Sequence, residues 1–238
     1  LGTFFMRSAG CVINDYFDRD FDGKVKRTKN RPLVTGEVKP KEALILFFIL
    51  VCLSASLLAW TNILTVMVAI IGLVIAVIYP LSKRFFRIPQ IFLGIAFSWG
   101  VLMVSAAELD RISVTSLIMF TACFFWIIAY DTAYSMSDKE DDKSMGLYSS
   151  AITFGKHSQK LILACHLLSL CLWSLCGYLE KINPVFYLSI LVCLVLVFFQ
   201  FQLIKEGDRD KCFLAFKRNN WIGFTILLGS MFGTVQGI

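Results

Sequence analysis

Apolar stretches close to the length needed to cross a bilayer recur along this 238-residue chain. A helix rises about 1.5 Å per residue, so roughly 20 apolar residues span the hydrocarbon core. The stretches fall at about 1–16, 42–60, 63–80, 90–107, 113–135, 159–179, 184–204 and 221–237. They are continuously apolar and lack the alternation of a transmembrane β-barrel strand. Charged residues make up only 17% of the chain, against about 25% in soluble domains. A buried core alone does not explain that deficit. The fold expected is all-α: a polytopic transmembrane helical bundle of about eight helices, forming one integral-membrane domain over 1–238.

The eight cysteines form no CxxC pair and mostly sit in apolar runs such as CLWSLC (171–176), so they read as small packing residues. His157 and His166 are too few for a metal cluster. The chain opens at Leu1 on apolar residues that look like the later part of a membrane helix, and an N-terminal truncation is expected.

Twenty of the 23 lysines and arginines lie in four segments, 17–41, 81–89, 136–160 and 205–220. The positive-inside rule places all four on the cytoplasmic side. Attraction to anionic headgroups accounts for most of that basic surface. It does not account for two acidic runs on the same side, NDYFDRDFD (14–22) and DTAYSMSDKEDD (131–142).

Both runs follow apolar helical stretches. At 100° per residue with Asn14 at zero, Asp18 falls at about 40°, Asp22 at about 80° and Asp15 at about 100°, with Arg7 near 20°. Asp20 points away, at about 240°. If the second helix continues unbroken from Asp131, then Asp138, Asp142 and Ser135 fall within about 40° of it, with Asp141 further round. Like charges so spaced repel unless something positive sits among them. Carboxylates of this kind suit hard cations, Mg²⁺ above all, which takes one or two carboxylates plus substrate phosphates. Two acidic faces opposed across a cavity would hold metal ions bridging a diphosphate, with Arg19, Lys83 and Arg84 neutralising the remaining charge. Arg7 is expected to support the first stripe by ion pairing, or else to bond helix carbonyls.

These residues resemble the UbiA superfamily of membrane prenyltransferases over essentially the whole chain. Its NDxxDxxxD motif is matched by Asn14, Asp15, Asp18 and Asp22, its DxxxD motif by Asp138 and Asp142, and its YxxxK element by Tyr79 and Lys83. Within the superfamily the strings GCVINDYFDRDFD, VKRTKNRPLVTG, IYPLSKR and YDTAYSMSDKEDD look closest to the 4-hydroxybenzoate polyprenyltransferases of ubiquinone biosynthesis. Ser135 stands where alanine is usual. The family fold has nine helices, and the first is the one expected to be absent here.

The resemblance implies that Asn14, Asp18 and Asp22 bind Mg²⁺ and diphosphate from one side, and Asp138 and Asp142 from the other. Tyr79 and Lys83 would hold diphosphate oxygens. Arg19 and Arg84 are candidates for diphosphate or for the carboxylate of the acceptor, and Asp131 and Tyr134 are further substrate-binding candidates. Asn30, Arg31, Pro32 and Gly36 either cap the site or form an ordinary turn. The reaction implied is Mg²⁺-dependent transfer of a polyprenyl chain from its diphosphate to the ring carbon ortho to the hydroxyl of 4-hydroxybenzoate. It would take place in a bacterial inner membrane (the mitochondrial inner membrane in a eukaryote), with the site facing the cytoplasm. The lipid bilayer is a partner; no nucleic acid and no obligate protein partner are implied. The alternatives are a sibling enzyme with a naphthoate, homogentisate or haem acceptor, and a divalent-cation transporter. The last predicts ionisable residues along a whole pathway, which the outer helix halves lack.

Overall fold

In the computed structural model, residues 1–23 and 28–234 are described. The long helices are α1 (Gly2–Asp22), α3 (Pro40–Ser56), α4 (Ile63–Ser82), α5 (Gln90–Leu109), α6 (Val114–Ser137), α9 (Ser158–Leu179), α10 (Val185–Ile204) and α11 (Arg209–Thr234). Short helices α2 (Pro32–Thr35), α7 (Lys139–Ser144) and α8 (Ser150–Phe154) sit in the longer connections. Each expected span is matched by one of the long helices; residues 235–237 of the last lie outside the described residues, as do residues 25–27 of the VKRTKNRPLVTG string.

Among the described residues, six segments are long and apolar enough to cross a membrane: Pro40–Trp60, Ile63–Ser82, Gln90–Leu109, Val114–Ser137, Ser150–Leu179 and Val185–Ile204. The remaining two long helices, α1 and α11, are diluted by charge at one end, the acidic run in α1 and Arg209, Asp210, Lys211, Lys217 and Arg218 in α11. The outer faces are greasy: Ile45, Phe48, Ile70, Ile71, Leu188, Leu191 and Phe198 are exposed, as a helix in lipid requires. Inward faces carry small and hydroxylated residues instead, among them Ser98, Ser105, Thr132, Ser169 and Ser189. Small residues let backbones approach where water supplies no driving force between helices. At Gly229 a Cβ would clash with the Ser189 side chain, so α10 and α11 cross too closely for any side chain there.

Local chemistry ends the helices where the connectors are tight. Asn62 caps α4 by accepting from Thr65 N at 2.9 Å, and its amide donates to Ala106 O at 2.6 Å, tying the start of α4 to the end of α5. Ser113 caps α6 by accepting from Ser116 N at 3.0 Å. Helix α6 is central to one part of the bundle, packed by α5, α9 and α11. Helix α1 sits at another side, packed against α3 and α4 through Ala9, Ile13 and Phe47. The acidic ends of α1 and α6 and the C-terminal end of α4 come together at one end of the molecule.

One expectation needs correcting. The second acidic run does not continue a straight helix to Asp142. Helix α6 ends at Ser137, Asp138 takes φ −100° and ψ 4°, and α7 begins at Lys139. Asp138 at the start with Glu140, Asp141 and Asp142 in the first turn is the composition of a helix N-terminus, a signal the sequence held. The angular arithmetic from Asp131 therefore holds only as far as Asp138.

Candidate active site

Helix α1 runs unbroken through the first acidic run. Asn14 Nδ2 donates to Asp18 Oδ2 at 3.1 Å, one turn along the stripe. Asp15 and Asp22 both accept ion pairs from Arg31 NH1, at 2.7 and 2.6 Å. Arg31 comes from the segment ahead of α2, which turns back on α1; Gly36, at φ 81°, closes that short helix in a left-handed conformation that glycine adopts without strain. The segment read as either cap or turn thus lies against the acidic stripe, held by Arg31. Asp20 is exposed, as its angle predicted.

Lys83, at the C-terminal end of α4, reaches Asp18 Oδ2 at 3.5 Å. Burial works against its ammonium, but Tyr79, Asp18, Asp142 and Asp131 outweigh it and hold the lysine above its ordinary pKa. Those four groups come from α4, α1, α7 and α6. Lys83 is therefore the point on which both acidic runs converge. Its backbone carbonyl also accepts from Tyr148 N at 3.0 Å, docking the connection after α7 onto the end of α4.

In the second run, Asp138 and Asp141 face Arg209 at the start of α11, Asp138 at 3.9 Å and Asp141 in direct contact. Burial pushes the Asp142 carboxyl up to about 6; Lys83 opposes the rise and Asp138 adds to it. Behind the run lies a buried hydrogen-bond network. Ser150 donates its hydroxyl to Thr132 Oγ1 at 2.9 Å and its backbone N–H to Gln90 Oε1 at 2.9 Å, and its Oγ lies 3.2 Å from Ser135 Oγ. Gln90 also bonds Asp131. The serine that replaces the usual alanine is thus a member of this network. Tyr134 lies within electrostatic range of Arg31 and packs on Phe216, ring centroids 4.9 Å apart. With Tyr130, Trp126 and Phe213 it forms an aromatic wall between α6 and α11.

Asn14, Asp18, Asp22, Tyr79, Lys83, Asp131, Tyr134, Asp138 and Asp142 are all brought to this one end. Arg19 and Arg84 are directed elsewhere. Arg19 donates to Tyr16 O at 2.6 Å and lies over the Tyr16 ring, on its own helix. Arg84 donates to Phe17 O at 2.7 Å and lies over Phe21, pinning α4 to α1. Arg7 forms no ion pair among the described residues; it donates to Cys11 Sγ at 2.8 Å and lies 5.1 Å over the Phe97 ring. Sequence reasoning missed the ion-pairing role of Arg31 and missed Arg209 altogether. For Arg31 a signal existed, a basic residue in a Pro/Gly turn directly after an acidic helix end. Arg209 lies 68 residues from Asp141, and nothing local marks it.

Among the described residues, no three His, Cys, Asp or Glu side chains converge as a preformed metal cage. The carboxylates are instead paired with cations from other segments. That donor set, all oxygen and only partly committed to any one point, fits Mg²⁺ arriving with a diphosphate that supplies the remaining ligands.

Known proteins resemble this chain in sequence and in fold. A 4-hydroxybenzoate octaprenyltransferase of Aeromonas hydrophila subsp. hydrophila is 46% identical over 229 residues, covering 96% of this chain and 80% of that protein. The enzyme of the same name from Nitrosospira multiformis is 43% identical, over 96% of this chain and 79% of its own length. The apo structure of a UbiA homologue from Aeropyrum pernix K1 superposes with a TM-score of 0.85 at 24% identity, covering 97% of this chain and 86% of that one. A UbiA homologue from Archaeoglobus fulgidus bound to GPP and Mg²⁺ matches with a TM-score of 0.75 at 20% identity, covering 98% and 86% of the two chains. The family model for UbiA prenyltransferases matches residues 1–223, and the chain belongs to the UbiA prenyltransferase family.

Proposed function

We propose that this protein transfers a polyprenyl group from polyprenyl diphosphate to the ring carbon ortho to the hydroxyl of 4-hydroxybenzoate, with Mg²⁺ as cofactor. The observation that carries this reading is the convergence of two acidic runs, from α1 and from the α6–α7 joint, on Lys83. The names of the curated relatives support the acceptor, and the archaeal homologue bound to GPP and Mg²⁺ supports the donor and the metal. Lysines and arginines gather at the site end while Arg111 and Lys181 lie in the opposite connectors, which supports a cytoplasmic site in an inner membrane.

In this reading Asn14, Asp18, Asp22, Asp138 and Asp142 hold the metal and diphosphate. When bound, Mg²⁺ supplies Lewis-acid stabilisation of the leaving charge. Lys83 and the Tyr79 hydroxyl hold diphosphate oxygens as the allylic C–O bond breaks and its electron pair leaves with the diphosphate. Tyr134, Tyr130, Phe213 and Phe216 present π faces to the allylic cation and keep water from it. A π pair of the ring forms the new C–C bond at the carbon ortho to the hydroxyl. The displaced ring proton passes to a carboxylate of the second run or to the released diphosphate. The isoprenoid tail, as apolar as lipid, lies among the helices.

The test is an assay of membranes containing the full-length protein with 4-hydroxybenzoate, a polyprenyl diphosphate and Mg²⁺. Prenylated product should form and should vanish with EDTA or on Asp18→Ala or Asp138→Ala. Product that survives those changes would sink the metal–diphosphate assignment. Turnover only with another aromatic would point to a sibling acceptor.

A further inference from the structure

Of the acids in the second run, Asp131 alone has neither a part in holding metal and diphosphate nor a place at the rim. Asp138 and Asp142 belong to the metal set, Glu140 is exposed, and Asp141 is bound by Arg209. Asp131 lies on α6 seven residues before Asp138, about 10 Å further into the apolar layer along the helix axis. A carboxylate at such depth is costly, and in a membrane helix it marks a functional site by default.

Its surroundings fix its direction. Gln90, at the start of α5 and only 5% exposed, accepts the Ser150 backbone N–H at its Oε1, 2.9 Å away. A backbone N–H can only donate, so the amide cannot turn over, and its NH₂ end is the one that bonds Asp131. Ala129, Thr132 and Ala133 beside it are buried, whereas Asp131 keeps partial exposure. So do Tyr79 and Lys83 of α4, the lysine with 31% of its side chain accessible. Both lie within electrostatic range of Asp131. The carboxylate is thus held by Gln90 and left accessible near the two residues assigned to diphosphate oxygens. A diphosphate bound there has its prenyl tail in the apolar layer. The carbon that reacts then lies on the membrane side of the phosphates, the side on which Asp131 stands.

We infer that Asp131 is the base that takes the ring proton, with Gln90 as its positioning residue. Attack of the ring on the allylic cation leaves a positively charged ring that still carries hydrogen at the attacked carbon. That C–H bond breaks, its electron pair restores the aromatic ring, and the proton goes to an Asp131 carboxylate oxygen. The oxygen loses it again when the products leave. Before the proton moves, the carboxylate also stabilises the positive ring. The assignment rests on the reading that this chain prenylates an aromatic ring, and it chooses between the two proton acceptors named there.

The experiment compares 4-hydroxybenzoate with its 3,5-dideuterated form in membranes holding the full-length protein, polyprenyl diphosphate and Mg²⁺. Asp131→Asn, close to the same shape, should lower kcat by about 10²-fold, the lower end of the worth of a positioned base. It should leave KM for polyprenyl diphosphate unchanged. Proton loss then becomes the slow step, so the isotope effect on kcat should rise above that of the wild type. A change that only disturbed packing or metal binding would not raise it. Gln90→Met, which fills the space without the amide, should raise the isotope effect with a smaller loss of rate. In a protein already carrying Asp131→Asn it should cost no further rate, because the two residues act as one unit. An Asp131→Asn protein that keeps its rate, or loses it with an unchanged isotope effect, overturns the inference. If that variant fails to fold or gives no product, the isotope effect is read in Gln90→Met, and its absence there overturns the inference instead. If the wild type ignores 4-hydroxybenzoate but uses another aromatic, the acceptor assignment falls, and the ring-deuterated form of that aromatic decides Asp131. If no aromatic is used, both readings fall together.

Discussion

The two acidic runs carry similar carboxylates on different foundations. The first lies on one unbroken helix, α1, which packs only one face on α3 and α4. Its carboxylates are ordered by charge: Arg31 bridges Asp15 and Asp22, and Lys83 reaches Asp18. The second lies at a break between α6 and α7, on a helix packed by α5, α9 and α11. It is backed by a buried network of Thr132, Ser135, Ser150 and Gln90, and its cation, Arg209, stands half-exposed at the rim. A straight helix projects its acids in a row but leaves their mutual repulsion to be met by cations from elsewhere. A helix break needs no such row, because the surrounding packing and hydrogen bonds fix where each acid points. Rigidity is electrostatic in one run and structural in the other.

The largest expected effect treats the runs alike. Asp18→Ala and Asp138→Ala should each lower the prenylation rate by about 10²–10³, the usual loss when one group stabilising a leaving charge is removed. Circular dichroism should show the helices intact. If only one change is damaging, the clamp is one-sided and the comparison breaks.

The arginines should separate the runs. Arg31→Gln leaves a buried carboxylate, Asp22, and a partly buried one, Asp15, without their bridge and should cost about 1–2 kcal/mol of stability in detergent, after allowing for solvent screening. Arg209→Gln acts at an exposed pair and should cost less than about 1 kcal/mol. Thermal denaturation of the purified variants measures both; equal losses would remove the distinction between an inner and a rim cation.

Smaller still is Ser135→Ala. It removes one hydroxyl from a network in which Ser150 keeps Thr132 and Gln90 as partners, so a loss of about 0.5–1 kcal/mol is expected, with activity retained. Least of all, Asp20→Ala should change stability by no more than about 0.5 kcal/mol and leave turnover intact, because that carboxylate points away from the stripe into solvent. A strong effect at Asp20 would mean that the stripe on α1 is drawn wrongly.

Much of the fold was readable because lipid is an exacting solvent. Backbone groups must be satisfied within each segment there, so continuous apolar runs such as 63–80 and 184–204 had to be helices. The stripe of Asn14, Asp18 and Asp22 was readable because α1 stays regular, and periodicity is reliable wherever a helix is. It failed past Asp138, where regularity ends. Arg31 and Arg209 escaped because their partners lie in other segments, and pairing across a fold leaves no local trace.

Residue order alone thus determined the helices and the acidic row along α1. Each follows from hydrophobic transfer and the 3.6-residue period, which act along the chain. Only the tertiary structure decided which cation meets which carboxylate: Lys83 between the runs, Arg31 on the first, Arg209 on the second. It likewise turned Arg19 and Arg84 onto backbone carbonyls and Arg7 toward Phe97, because electrostatic partners are chosen by distance through space, and that distance is set only when the helices pack.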